Sequence, residues 1–167
     1  MIIECSPFLR TLMTAAHIAK GLGHAKVRVN YLFCELLAPH IFEECPLDQI
    51  AMKVKKKEHI VKTYLDNVDF EVSDHYVEQA QKLYPENKHK GIDRTKEMIK
   101  HFSEKYKTSD KKVAHLAVTH GFFVNKFALN LNGINPYSEY CSISGATLSN
   151  GKASLILDSY ADHVQTW

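Results

Sequence analysis

The sequence predicts an α/β protein, a three-layer sandwich whose helices cover a mixed, mostly parallel sheet. Two observations carry this prediction: a short apolar run leads through a turn into a helical pattern at residues 2–23, and the same order recurs at residues 113–133. A third is the change of period near the carboxyl end, where two alternating segments flank an Asn-Gly pair, as in a β-hairpin.

The first of these units begins with Ile2, Ile3 and Cys5, a β-type run that stops at Ser6-Pro7. Apolar residues then repeat at helical spacing until a glycine-rich stop at residues 21–23. Alternation over residues 27–33 predicts a strand that runs into a turn before Pro39. The predicted helix is marked by Leu9, Leu12, Met13, Ala16 and Ala19.

The middle of the chain, from Lys53 to Lys112, is polar and rich in lysine but keeps two amphipathic patterns, which predict helices near residues 76–84 and 95–106. The lysines at 53, 55, 56 and 57 could contact nucleic acid. A solvated surface is preferred, because the cluster is short and Glu58 adjoins it.

The second unit has an apolar strand over Val113–Val118, the turn Thr119-His120-Gly121, and a helix that ends at Asn132-Gly133. Strands at residues 140–144 and 153–157 are predicted to form the hairpin.

Length and composition limit the possible functions. With 167 residues the chain can bury one core, so we expect a single domain over residues 1–167. A net charge of +2 supplies no general field for binding nucleic acid or a membrane, and neither partner is expected. The cysteines form no CxxC pair and the amino-terminal residues do not read as a signal peptide, so an intracellular, cytoplasmic protein is expected.

Four residues near the predicted strand ends are candidates for a site. Arg10 falls in a first helical turn, where N–H groups already favour an anion, and His120 with Gly121 follows a strand. Glu35 lies near a third strand end. Each has an ordinary alternative: Arg10 on an exposed helix face, Glu35 as a surface carboxylate or cap, and His120 as a core histidine, the interpretation that also suits His115.

Several segments, in the right order, resemble the histidine phosphatase superfamily, the phosphoglycerate mutase-like proteins. The segment SPFLRTLMTA from Ser6 resembles the family's SP-x-x-R-x-x-x-T-A pattern, and VAHLAVTHG, which ends at Gly121, resembles its second-histidine motif. VNYLFCELL around Glu35 is similar to the strand that delivers the proton-transferring glutamate. YCSIS and LDSYADHV are similar to the closing hairpin and the terminal stretch of the family.

The resemblance implies a role for each candidate. Arg10 and Gly121 would bind the transferring phosphoryl group, and His120 would stabilise the charge of that group. Glu35 would protonate the leaving group. The ligand would be a phosphate-bearing small molecule or a phosphoprotein. No cofactor and no metal are implied.

The sequence departs from the family in having no Arg-His-Gly, the motif that carries the nucleophilic histidine on the family's first strand. The resemblance therefore implies a phosphoglycerate mutase-like fold that is incomplete at its amino-terminal side. A truncated sequence, a strand supplied by a partner, or a hairpin that has moved into the gap would each explain this.

Two functions follow. The first is a non-catalytic subunit that binds or assembles, with a protein partner or a second copy pairing beside the exposed edge of the Val113–Val118 strand. The alternative is an active phosphomonoesterase, or less readily a phosphomutase, whose Arg-His-Gly segment is absent from this sequence.

Overall fold

The computed structural model describes residues 1–23, 26–50, 68–72, 80–107, 112–134 and 137–164. The chain divides into two compact units. The first unit comprises Met1–Asn87 and Val113–His120, and the second comprises Lys88–Lys112 and Gly121–Trp167. The expectation of a single domain stays a prediction.

The first unit is built on a four-stranded sheet of β1 (Ile2–Cys5), β2 (Lys26–Val29), β3 (Asp69–Val72) and β4 (His115–Val118), in the order β3-β2-β1-β4. Every pairing is parallel. Parallel neighbours require a crossover connection, which is why strand-turn-helix patterns in the sequence predict this class of fold. The α/β class and the mostly parallel sheet are therefore confirmed.

Helix α1 (Leu9–Gly21) connects β1 to β2 and packs on the sheet. Its buried face consists largely of alanine, and such short side chains allow the helix to lie close to the strands. Leu9, at the first position of the helix, is exposed. The predicted helix is confirmed, and its buried residues are Thr11, Leu12, Ala15, Ala16 and Ala19.

The strand predicted over residues 27–33 is too long, because β2 ends at Val29. A 3-10 turn, Tyr31–Phe33, replaces its second half. Asn30 causes the change: its side-chain oxygen accepts the Leu32 N–H at 3.0 Å, and its own N–H donates to the Cys5 carbonyl oxygen at 2.8 Å.

Strand β3 lies in the polar stretch where no strand was predicted. Its four residues read DFEV, and Phe70 is buried while Glu71 pairs with Lys26 and Arg28 on β2. A strand of four residues is too short to show periodicity. The lysines at 53–57 and residues 76–79 of the helix predicted near residues 76–84 lie outside the described residues; Ala80 and Gln81 are helical.

The second unit contains α2 (Lys88–Tyr106), α3 (Gly121–Asn132) and a hairpin of β5 (Ile143–Ser149) and β6 (Lys152–Tyr160). Asn150 and Gly151, with φ of 51° and 73°, make the turn, as predicted. The first hairpin strand begins later than predicted, at Ile143. A short 3-10 turn, Asp162–Val164, follows the hairpin.

The mixed sheet was predicted wrongly. Among the described residues β5 pairs only with β6, so the hairpin is a two-stranded sheet of its own and the main sheet contains parallel strands alone. The apolar positions of both hairpin strands predict strands but do not specify which sheet they join. Across the described parts of the chain, no helix is both long and apolar enough to cross a bilayer.

Candidate anion site at the carboxyl ends of the strands

The register of β1 with its two neighbours brings three connections to one edge of the sheet. Cys5 aligns with Val29 on β2 and with Val118 on β4. Immediately beyond this row, the Ser6 N–H donates to the Val118 carbonyl oxygen at 2.9 Å. The segments that carry Arg10, Glu35 and His120 therefore all start from the same end of the sheet.

Arg10 connects the other two predicted side chains. From the first turn of α1, its Nη2 donates to Glu35 Oε2 at 3.1 Å and lies 2.8 Å from His120 Nδ1. The guanidinium also lies over the Phe8 ring, 5.0 Å from its centroid. The structure thus brings Arg10, Glu35 and His120 into mutual contact, although 59% of the Arg10 side chain remains exposed.

Glu35 follows the 3-10 turn, and its Oε1 accepts the Leu36 N–H at 3.0 Å. Burial alone would raise the pKa of this carboxyl. The hydrogen bond and charge of His120, the Leu36 N–H and the Arg10 charge outweigh burial and hold the pKa of Glu35 below its ordinary value. Glu35 is therefore ionised at neutral pH in this arrangement.

His120 is the most enclosed member of the site, with 2% of its side chain exposed. Its Nδ1 lies 3.2 Å from Glu35 Oε2, and its Nε2 lies 2.8 Å from Ser6 Oγ. The Phe8 ring meets the imidazole edge-on, with centroids 5.1 Å apart. Hydrogen-bonding groups therefore face both ring nitrogens.

Sequence reasoning missed the residues that hold this geometry. Thr119 Oγ1 donates to the Phe33 carbonyl oxygen at 2.9 Å and so joins the His120 connection to the Glu35 connection. The buried Glu86 clamps Leu37, accepting its N–H at 3.0 Å and donating its own N–H to the Leu37 carbonyl oxygen at 2.8 Å. A glutamate in a polar stretch carries no periodic signal that would reveal such a role.

The remaining histidine and glycine candidates have simpler environments. Gly121 begins α3, and a Cβ there would meet no atom within 4 Å, so crowding does not require a glycine. His115 lies in β4, and its Nε2 is 3.2 Å from Oε2 of Glu4 on the neighbouring strand β1.

The described residues contain no group of three or more His, Cys, Asp and Glu side chains placed to hold a metal ion. Burial, with a smaller effect of the Glu4 charge, raises the pKa of the Cys5 thiol, so it stays protonated and serves as a core residue.

Lysines also line a depression of about 540 Å³ on the second unit, where α2 meets the hairpin turn. Lys96 pairs with Asp93 and Lys100 with Glu104, and all four side chains are well exposed. Exposed pairs of this kind are strongly screened by water and salt. The Arg10–Glu35–His120 cluster is therefore the stronger candidate for a specific anion site.

Comparison of the chain with protein-family models, with curated proteins and with solved structures finds no match. The case for a function accordingly rests on the geometry of the site.

The environment of Glu35 predicts a pKa that resists salt. Exposed Glu71, whose pKa is lowered by Lys26 and Arg28, is the matched comparison. Carboxyl carbon NMR titration should find both pKa values low in dilute buffer. In about 1 M NaCl, where the Debye length is about 3 Å, Glu71 should return to an ordinary pKa while Glu35 stays low, because Glu35 is largely enclosed and hydrogen-bonded.

The same lowered pKa links the site to folding. The Glu35 carboxylate contributes stability above its ordinary pKa of 4.5, and that contribution is lost as the pH falls through its folded-state pKa. An ordinary pKa for Glu35 in both salt conditions would contradict the described contacts.

Proposed function

We propose that the Arg10–Glu35–His120 cluster binds the phosphoryl group of a phosphate monoester, carried by a small molecule or a phosphoprotein. The observation that carries this proposal is the position of Arg10: from the first turn of a helix, its Nη2 contacts both Glu35 and His120. The Arg10 side chain is more than half exposed, so its guanidinium can offer N–H groups to a phosphoryl oxygen from solvent.

The local electrostatics support an anion in this position. The first turn of α1 contains no acidic residue, so its N–H groups and the positive end of the helix dipole are not offset by a carboxylate of the helix itself. His120 Nδ1 lies beside the Arg10 guanidinium, so a protonated imidazole would add a second positive charge next to the anion.

Glu35 gives the site a defined resting state. Its ionised carboxylate already interacts with Arg10 and His120, as an incoming dianion would. A bound dianion would repel this carboxylate and raise its pKa, which is the direction that converts Glu35 from a proton acceptor into a proton donor. If the protein is an active phosphomonoesterase, the proton-donor role implied by the family resemblance belongs to the anion-bound site and not to the resting one.

Binding without turnover is the function we favour. The sequence contains no Arg-His-Gly, so the nucleophilic histidine of the family that the chain resembles has no counterpart in it. In this proposal the domain is a histidine phosphatase-like binding subunit. An active phosphomonoesterase is the alternative, and detectable hydrolysis of 4-nitrophenyl phosphate that disappears in His120→Ala would favour it.

Calorimetry with inorganic phosphate tests the binding proposal. Arg10→Ala should weaken binding about tenfold or more, because charge-assisted hydrogen bonds to the anion are lost. Arg28→Ala, which removes an arginine paired with Glu71 on β2, should leave the affinity unchanged. Equal affinities for the wild type and both variants, or no binding by the wild type, would contradict an anion site at Arg10.

Assembly through β4 is a second candidate function, favoured by the strand order. Within the described sheet β4 is a terminal strand that pairs with β1 alone, and its residues are only partly buried. An extended segment of another chain could add beside it through main-chain hydrogen bonds.

Hydrogen exchange tests this second candidate. The Ile2 N–H donates to the Ala114 carbonyl oxygen, so parallel alternation directs the Leu116 and Val118 amides toward β1 and the His115 and Ala117 amides away from it. In a dilute monomer the first pair should be protected and the second should exchange rapidly, becoming protected on association. Protection of both pairs in the monomer would contradict an open edge.

A further inference from the structure

The depression on the second unit is lined mainly by one stripe of α2 and the residue after it. These residues lie on one helical face, at steps of one or three positions: Lys96, Ile99, Lys100, Ser103, Glu104 and Lys107. Asn130 of α3 and the turn residues Asn150 and Gly151 complete the lining. Its volume of about 540 Å³ is within the range of small-molecule sites, and its lining is largely polar.

The lining carries an excess of positive charge, with three lysines and one glutamate. Lys100 Nζ lies 3.8 Å from Glu104 Oε1, which is a loose ion pair. Lys96 pairs more closely with Asp93, at 2.9 Å, but Asp93 is not part of the lining. Water screens both exposed pairs, so a ligand that carries several negative charges can compete with these carboxylates for the lysines.

Lys107 is the lysine of the depression that has no acidic partner among the described residues. Its Cγ, Cδ and Cε each lie 3.9 Å from the position that a Cβ on Gly151 would take, so the stem runs alongside the hairpin turn. The apolar stem of a lysine can pack in this way while the ammonium group stays in water. Lys107 can therefore offer its three N–H donors to a ligand.

Asn130 provides an observation of a different kind. Its Nδ2 is buried and has no hydrogen-bond partner within the described part of the chain, although Asn130 lines the depression. A buried amide N–H is normally paired, because leaving it unpaired lowers stability. Rotation about the last bond of the side chain is soft, so the amide can turn to meet an oxygen of a ligand.

The spacing of the lysines indicates the shape of the ligand. Lys96 and Lys100 are about 6 Å apart along the helix axis, and Lys107 lies about 10 Å further. A single phosphate group is too small to reach all three ammonium groups, whereas a chain of phosphates is long enough. Lysines act as mobile point charges, which suits an extended anion better than a single planar group.

We propose that this depression binds a linear oligophosphate, such as a triphosphate chain. Lys96, Lys100 and Lys107 neutralise its charges, and the Asn130 amide donates to one of its oxygens. The Arg10–Glu35–His120 cluster belongs to the first unit, and every residue of the depression belongs to the second. The oligophosphate site is thus independent of the proposed phosphoryl site.

Calorimetry with inorganic tripolyphosphate at low salt tests the proposal. The titration uses the Arg10→Ala chain, so that the proposed phosphoryl site does not contribute. In this background Lys107→Gln should weaken binding about tenfold, because charge-assisted hydrogen bonds are lost. Lys20→Gln, which removes an exposed lysine at the end of α1, should leave the affinity unchanged. Added NaCl should weaken binding.

NMR of the side-chain amides locates the ligand at Asn130. The Asn130 signals, assigned by their loss in Asn130→Asp, should shift when tripolyphosphate is added to the wild type. Asn130→Asp should bind tripolyphosphate at least about tenfold more weakly, because a carboxylate replaces an amide donor. Asn132→Asp makes the same charge change on α3 outside the depression and keeps the oxygen that accepts the Ile134 N–H, so its affinity should be nearly unchanged.

A parallel titration with ATP distinguishes two sources of the phosphate chain. Tighter binding of ATP than of tripolyphosphate would support the site and identify a nucleotide, and equal or weaker binding would support an inorganic oligophosphate.

Three results would overturn the proposal: no binding of tripolyphosphate by the wild type, unchanged affinity in both Lys107→Gln and Asn130→Asp, or equally tight binding of oligothymidylate, which carries no phosphate chain. Loss of tripolyphosphate binding on Arg10→Ala alone would overturn it as well, and would support the phosphoryl site of the first unit instead.

Discussion

The alignment of Cys5 with Val29 on one side and Val118 on the other is the constraint on which the rest of the site depends. In a parallel sheet, strands that share a register also end at the same edge. Because β1 pairs with both β2 and β4, the three connections that follow these strands leave the sheet together. A shift in either pairing would separate the side chains that now meet around Arg10.

At this edge of the sheet, Arg10 and His120 both contact the same carboxylate oxygen of Glu35. Neighbouring residues hold His120 and Glu35 in place through further hydrogen bonds. Ser6 holds the inner side of His120, and Glu86 holds the segment that carries Glu35. Such an arrangement is preorganised for an anion, since the donors already converge on a negative group before any ligand arrives.

Local sequence patterns predicted the elements whose periodicity is strong and whose ends are marked. Helix α1, helix α3 and the Asn150-Gly151 turn follow from apolar spacing and from turn residues that determine their own backbone conformation. The 3-10 turn after Asn30 was missed because alternating apolar residues are compatible with either conformation. Only the hydrogen bonds of Asn30 to its neighbours decide between them.

The site was predicted to the extent that strand ends reveal it. Arg10, Glu35 and His120 were identified because each lies beyond a strand-like run, and the structure brings them into contact. Ser6 was noted as the end of a strand and as the first residue of the SPFLRTLMTA segment, with no role assigned to it, and Glu86 was not noted at all. Both act through tertiary hydrogen bonds across 114 and 49 residues of sequence, and no local pattern encodes such partners.

In the proposed site, Glu35 is an internal carboxylate that competes with an external dianion for Arg10 and His120. The most direct measurement is the affinity of the wild type and of Glu35→Gln for sulfate at pH 7, by calorimetry, with Glu71→Gln as the control for removing a salt-bridged carboxylate elsewhere. Glu35→Gln should bind sulfate more tightly than the wild type, because the competing charge is gone while Arg10 and His120 remain, and Glu71→Gln should match the wild type. Weaker or equal binding by Glu35→Gln would contradict the account.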